Sequence, residues 1–135
     1  MAVKRVSPAE ARELIDKQGY VYVDVRSVPE FAAGHPAGAY NVPLLNMGPG
    51  GMAPNPDFLA VMEKSFPKDA KLVLGCKGGG RSLRAAGLLE QAGWQTVVDQ
   101  RAGFDGGGEP GWRPAGLPVS RESDPEHAYG GLKDK

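Results

Sequence analysis

Three short apolar runs, YVYVDV at residues 20–25, KLVLG at 71–75 and QTVVD at 95–99, alternate along the chain with stretches of helical spacing. Each run is too short for an independent helix and rich in β-branched or aliphatic residues, the pattern of a strand buried on both faces. Strands that alternate with helices pair in parallel through crossover connections, so the fold class is α/β, with a parallel sheet covered by helices on both faces. The helical stretches carry their own punctuation. Ser7, Pro8 and Glu10 form a capping-box signature before an amphipathic turn that Gly19 ends, DFLAVMEKSF resumes helical spacing, and Gly93 closes RSLRAAGLLEQAG. Residues 46–56, NMGPGGMAPNP, are so rich in glycine and proline that a loop without regular structure is expected, bordering the functional pocket and affecting acceptor choice. Residues 1–120 read as a single domain. Residues 121–135 are polar and aperiodic and are expected to pack weakly or stay disordered.

A chain of 135 residues is long enough to bury roughly two-thirds of the surface its unfolded form exposes, so one core suffices without a disulfide or metal. Sixteen basic and sixteen acidic side chains cancel, which argues against nucleic acid or an anionic membrane as partner. No metal or other cofactor is expected: there is one cysteine, and the two histidines, His35 and His127, are far apart in sequence. The N-terminal residues lack the apolar core of a secretory signal and no run approaches a membrane span, so a reducing cytoplasm is the expected compartment.

The lone cysteine falls where a parallel sheet gathers ligands, beyond the carboxyl end of a strand. KLVLG runs directly into Cys76, and Lys77, Gly78, Gly79 and Gly80 follow before Arg81 and Ser82 open a helix. A structural cysteine packs as a small hydrophobe and calls for no such flank. Consecutive glycines can turn several N–H groups inward and the helix start adds its positive end, an arrangement that stabilises an anion and so favours the nucleophilic thiolate. GCKGGGRS also approaches the nucleotide-binding pattern G-x-x-x-x-G-K-[ST], but Arg81 stands where a lysine must reach the phosphates as a point charge, and the two are not equivalent. Asp24, Arg26, Glu30 and His35, just after a strand, are expected to pair with one another and tie loops together rather than do acid–base work.

DVRSVPEFAAGHPAGAYNVP at 24–43, CKGGGRS at 76–82 and AGFDGGGEPGWRPAGLPV at 102–119 together resemble the rhodanese family of single-domain sulfurtransferases, in order and in spacing. The resemblance implies a three-layer fold with a central parallel sheet of about five strands. It gives Cys76 the role of carrying sulfur as a persulfide, Arg81 a part in binding the anionic donor, and the backbone N–H groups of Lys77, Gly78, Gly79, Gly80, Arg81 and Ser82 the cradling of the sulfur. It implies as partners a small anionic donor such as thiosulfate, a cyanide or thiol acceptor, and a sulfur-donor or acceptor protein. Two other readings remain open: a sulfur carrier loaded by a partner protein, and a cysteine-dependent phosphatase or arsenate reductase. The second is disfavoured because the span from Cys76 to Arg81 is a residue short for three phosphoryl oxygens and holds no aspartate, although Asp105 could supply a general acid from elsewhere.

Overall fold

The computed structural model describes residues 3–135. In chain order the elements are β1 (Lys4–Val6), α1 (Pro8–Gln18), β2 (Val21–Asp24), α2 (Val28–Ala33), β3 (His35–Pro36), β4 (Tyr40–Asn41), β5 (Leu45–Gly48), β6 (Gly51–Pro54), α3 (Phe58–Ser65), β7 (Lys71–Gly75), α4 (Gly80–Gln91), β8 (Thr96–Gln100), β9 (Val119–Ser120) and α5 (Tyr129–Lys133). Five strands form one sheet in the order β1-β8-β7-β2-β4, with every neighbouring pair parallel. This is the α/β architecture that the alternating runs predict.

The period of two along each strand divides the core. Val23, Leu72, Leu74 and Val97 point to one face and pack with α3, α4 and α5; Tyr22, Val73 and Val98 point to the other and pack with α1, α2 and Trp112. Local signals hold the helices in place. Ser7 Oγ accepts the Glu10 amide at 3.1 Å while Glu10 Oε1 accepts the Ser7 amide at 2.9 Å, the reciprocal capping box, and Gly19 ends α1 with φ 74°.

Two expectations are corrected. Residues 46–56 are not an irregular loop: β5 and β6 pair antiparallel from Leu45 opposite Pro54 to Gly48 opposite Gly51. Pro49 and Gly50 turn the chain and Gly51 takes φ 103°, so glycine and proline here make a hairpin rather than prevent one. The polar segment 121–135 also carries a packed helix. Asp124 receives the amides of His127 and Ala128, and α5 then buries Tyr129 and Leu132, the latter 1 % exposed, in the cluster beneath α3. Asn55 Nδ2 donates to Tyr129 Oη at 3.1 Å, and Lys64 bonds the carbonyl of Lys133. Two apolar side chains at i and i+3 are enough to dock one turn, a signal that the surrounding charge hides.

Replacing Leu132 with alanine removes a buried side chain from this cluster and is expected to cost about 2–5 kcal/mol of stability. Urea unfolding reads the loss as a lower midpoint at constant slope; an unchanged midpoint would mean that α5 does not pack in solution.

Candidate active site

Crossovers α1 and α2 lie on one face of the sheet and α3 and α4 on the other. The connections that leave the neighbouring strands β2 and β7 therefore depart to opposite faces, which opens a crevice beyond their carboxyl ends. Cys76 follows β7 at this point and Arg26, Ser27 and Glu30 follow β2. Gly75, the last residue of β7, is obligatory: a Cβ there would stand 1.8 Å from Tyr22 Oη. Burial, and after it Asp24, pushes the Tyr22 phenol well above its usual range. Tyr22 thus stays neutral, packed against Gly75.

Cys76 is 2 % exposed, and its Sγ receives the Gly79 amide at 3.0 Å. Gly79, with φ 103°, is the N-cap of α4. The amides of Gly80, Arg81 and Ser82 belong to the first turn of that helix and have no carbonyl within it to bond. Of the three consecutive glycines only Gly79 is required by geometry, since a Cβ on it would lie 2.3 Å from the Arg101 carbonyl oxygen. Gly80 faces open space and Gly78 meets nothing closer than 3.8 Å.

The outside of the loop is strapped by residues 101–106. Cys76 O accepts the Phe104 amide at 2.7 Å, and Lys77 O accepts those of Asp105 at 3.1 Å and Gly106 at 3.3 Å. Gly103 permits this contact, because a Cβ there would lie 2.3 Å from Lys77 O. Buried Gln100 holds the strap in turn, its Oε1 accepting the Ala102 and Gly103 amides at 2.8 and 2.9 Å. Beneath the loop the Ser82 hydroxyl donates to the buried Asp99 carboxylate, whose other oxygen accepts Arg5 Nε at 2.7 Å.

The guanidinium of Arg81 does not stand free at the sulfur. Nη1 and Nη2 bond the two oxygens of Glu30 at 2.7 and 3.0 Å, and the Arg81 side chain is 17 % exposed. Burial alone would raise the Glu30 pKa, but Arg81 together with the hydroxyl and amide of Ser27 outweighs it and holds the carboxyl at about 2. The predicted grouping of charges after β2 is realised for Asp24 and Arg26, joined at 2.7 Å, with Arg26 Nη2 also donating to the Gly34 carbonyl at 2.6 Å. His35 bonds the Phe31 carbonyl at 2.7 Å. Glu30 leaves that group for the loop. Asp105, the candidate general acid, bonds Arg113 at 2.9 Å.

A cleft of about 250 Å³ opens beside the loop, between α2 and the strap; Arg26, Glu30, Lys77, Phe104, Asp105 and Arg113 are among its walls. The β5–β6 hairpin is not among them. Its base borders a separate apolar groove with Leu59, Arg84 and Leu88. His35 and His127 meet at one small pocket with Glu122 and Asp124 despite their separation in sequence, but among the described residues no three such side chains converge as a metal-binding set. No helix among the described residues is long and apolar enough to cross a membrane.

Residues 7–108 match the family model of the rhodanese-like domain. The chain belongs to the rhodanese family. This rhodanese domain is 40 % identical over 114 residues to thiosulfate sulfurtransferase 16, chloroplastic, of Arabidopsis thaliana, a match that covers 84 % of the chain and 90 % of that protein. It is 31 % identical over 124 residues to thiosulfate sulfurtransferase 18 of the same plant, covering 90 % and 87 %. Some relatives are longer: the chain spans 51 % of the senescence-associated protein DIN1 of Raphanus sativus. Among solved structures, one from M. tuberculosis superposes with a TM-score of 0.77 at 27 % identity over 90 % of this chain and all of that one. A rhodanese-related protein from Thermoplasma volcanium superposes at 0.65 and 28 % identity, covering 88 % and 99 %.

Sequence reasoning missed the pairing of Glu30 with Arg81, the Asp99 anchor under Ser82, and Arg113. The bidentate pair was foreshadowed only by an unmatched arginine in the loop; Asp99 carried a signal, a carboxylate closing a strand with both faces buried, which a core tolerates only with partners. Two expectations follow from the geometry. Gly79→Ala forces both a left-handed backbone and a clash and is expected to unfold the loop or the protein, whereas Gly80→Ala, at the first residue of a helix in open space, is expected to stabilise by about 0.4–1 kcal/mol; thermal unfolding of the two variants distinguishes them. Because the Glu30 pKa is lowered on folding, its contribution is complete above the unfolded value of 4.5 and is lost as pH falls toward 2. Taken in full that shift is an upper limit of about 3 kcal/mol, and solvent screening of the partly exposed pair brings it to roughly 1–2, so acid titration of stability from pH 5 to 2 is expected to be shallower in Glu30→Gln by the smaller amount.

Proposed function

We propose that the chain is a thiosulfate sulfurtransferase that moves a sulfane sulfur from a thiosulfate-like donor to cyanide or a thiol through a persulfide on Cys76. The observation that carries the reading is the Gly79 amide at 3.0 Å from Cys76 Sγ, at the amino end of the twelve-residue α4. The Cys76 thiolate attacks the outer sulfur of S–SO₃²⁻; the S–S bond of the donor breaks, sulfite leaves with its electron pair, and Cys–S–S⁻ remains. A nucleophilic acceptor then takes the outer sulfur and returns the thiolate. Negative charge stays near one point through both halves, so the fixed amide and the free N–H groups of the first α4 turn stabilise it without rearranging.

The relatives named thiosulfate sulfurtransferases support the reaction class. The absence of a carboxyl within the loop favours it over phosphoryl transfer, which needs a proton donor for its leaving group. With one cysteine, no internal thiol can resolve the persulfide, so discharge comes from an external acceptor, small or protein-borne. A reducing compartment, the cytoplasm by default, suits a thiol that must cycle.

Cys76→Ser is expected to abolish thiosulfate:cyanide turnover with the fold unchanged by circular dichroism. Wild-type protein treated with thiosulfate and desalted is expected to gain the mass of one sulfur, lost again on adding cyanide. A desalted protein with no adduct that still turned over with both substrates bound together would exclude the covalent cycle. Loading by a cysteine desulfurase with no turnover of free thiosulfate would instead identify a sulfur carrier.

A further inference from the structure

Arg26, Lys77 and Arg113 border the cleft and Arg81 pairs with its wall residue Glu30, and the structure separates these four by what already neutralises them. Arg26 is buried, bonded to Asp24 at 2.7 Å, and lies 4.5 Å over the Phe104 ring. Arg81 is held by both oxygens of Glu30. Freeing Arg26 would strip the buried Asp24 of its partner, and freeing Arg81 would break a bidentate, part-buried pair, so neither is readily available to a ligand. Lys77, directly after the nucleophile, is exposed and has no salt-bridge partner among the described residues. Arg113 is 61 % exposed and paired only with Asp105, itself 33 % exposed. An exposed, solvent-screened pair of that kind is weak, so its guanidinium can exchange partners.

Arg113 and Lys77 come from distant parts of the sequence, and one chain of contacts brings them to the same cleft. Lys77 O accepts the Asp105 amide at 3.1 Å, and the Asp105 carboxylate holds Arg113 Nη2 at 2.9 Å. The Arg113 backbone is fixed as well, its amide donating to the Phe104 carbonyl at 3.0 Å, while its guanidinium stands 5.6 Å from the Phe104 ring. The strap that bonds the loop thus also holds, through Asp105, an exposed cation at the cleft.

We propose that Lys77 and Arg113 together form the binding subsite for the oxyanion end of the sulfur donor, a sulfonyl-type anion of the class X–SO₂–S⁻, and that Arg81 serves the loop by pairing with Glu30. The inference rests on the sulfurtransferase reading for the identity of the anion, but the receptor itself is a property of the cleft. In the reaction the Cys76 thiolate bonds to the outer sulfur, the S–S bond of X–SO₂–S⁻ breaks, and X–SO₂⁻ leaves from between Lys77 and Arg113. A dianion such as thiosulfate, with X an oxide, uses both cations more fully than a monoanion such as methanethiosulfonate.

Two measurements on the full chain test this. The rate of Cys76 alkylation by iodoacetate, an anion, is compared with that by neutral iodoacetamide in wild type, Lys77→Ala, Arg113→Ala and Arg113→Lys. Each alanine variant is expected to lower the iodoacetate rate roughly fivefold while the iodoacetamide rate, which also reports an intact loop, stays constant; Arg113→Lys restores most of it because the charge is kept. In steady state, Arg113→Ala is expected to raise the thiosulfate KM about five- to tenfold with little change in kcat, and the methanethiosulfonate KM by less. An iodoacetate-to-iodoacetamide ratio and a thiosulfate KM that are both unaffected by Arg113→Ala would overturn the subsite. A wild-type protein that never turns over thiosulfate but keeps an Arg113-dependent iodoacetate preference would sink the sulfurtransferase reading and leave the anion receptor standing.

Discussion

A parallel strand buried on both faces cannot reverse in a tight turn; the chain must leave over one face of the sheet or the other. After β2 it leaves over the face that carries α2, and after β7 over the face that carries α4. The crevice between these departures is where backbone from two crossovers meets beyond the carboxyl ends of the strands. The chain fills it with Cys76, and the surroundings can be understood as a means of holding a single sulfur there. Tyr22 packs against Gly75 just before it, the N-cap amide of α4 bonds the sulfur, and the 101–106 strap closes the outer wall through two glycine contacts.

The charges obey the same economy. Asp24, Glu30 and Asp99 are carboxylates in or near the core, and each takes one arginine, Arg26, Arg81 and Arg5. Such pairs contribute little net stability against a hydrophobic substitute, but removing one partner costs about 3–5 kcal/mol, so they act as registers rather than as glue. Arg26 sets the end of β2 against the carbonyl of Gly34, Arg81 ties α4 to α2, and Arg5 ties β1 to the floor of the loop. An evenly balanced sequence is what such pairing leaves behind, and the exposed Lys77 and Arg113 gain importance because so much of the rest is matched.

Much of this was legible in the sequence because it is local. The three apolar runs announce β2, β7 and β8, and the capping box announces α1, since each signal lies within one element. The parallel order follows from the alternation, and the position of Cys76 follows from the parallel order. What was not legible depends on distance or on short elements. β1 is three residues, two of them charged, and exists because β8 offers it a parallel edge. The β5–β6 hairpin hid behind glycines and prolines that, taken singly, argue against strands. α5 is anchored by two side chains in a polar tail and needs Asn55, far away in the chain, to complete it. The rhodanese motifs placed Arg81 at the loop, but only the fold shows that its fork is filled by Glu30, because a bidentate pair between α2 and α4 has no signature in either segment alone.

The pairing of β1 with β8 bears on how the protein is made. Arg5 enters with the first strand, and its partner Asp99 lies near the end of the last strand of the central sheet, 94 positions later. A chain emerging from the ribosome can build β2, β4, β7 and α4, and so expose a nascent thiol loop, before β1 has anything to pair with. The underside of that loop is locked through Ser82 and Arg5 only once residues 96–100 have been released, and its outer wall only after residues 101–106 follow. Cys76 therefore acquires its chemical surroundings late in synthesis, and its nucleophilic reactivity measured on stalled chains of increasing length would serve as a clock for the closure of the whole sheet.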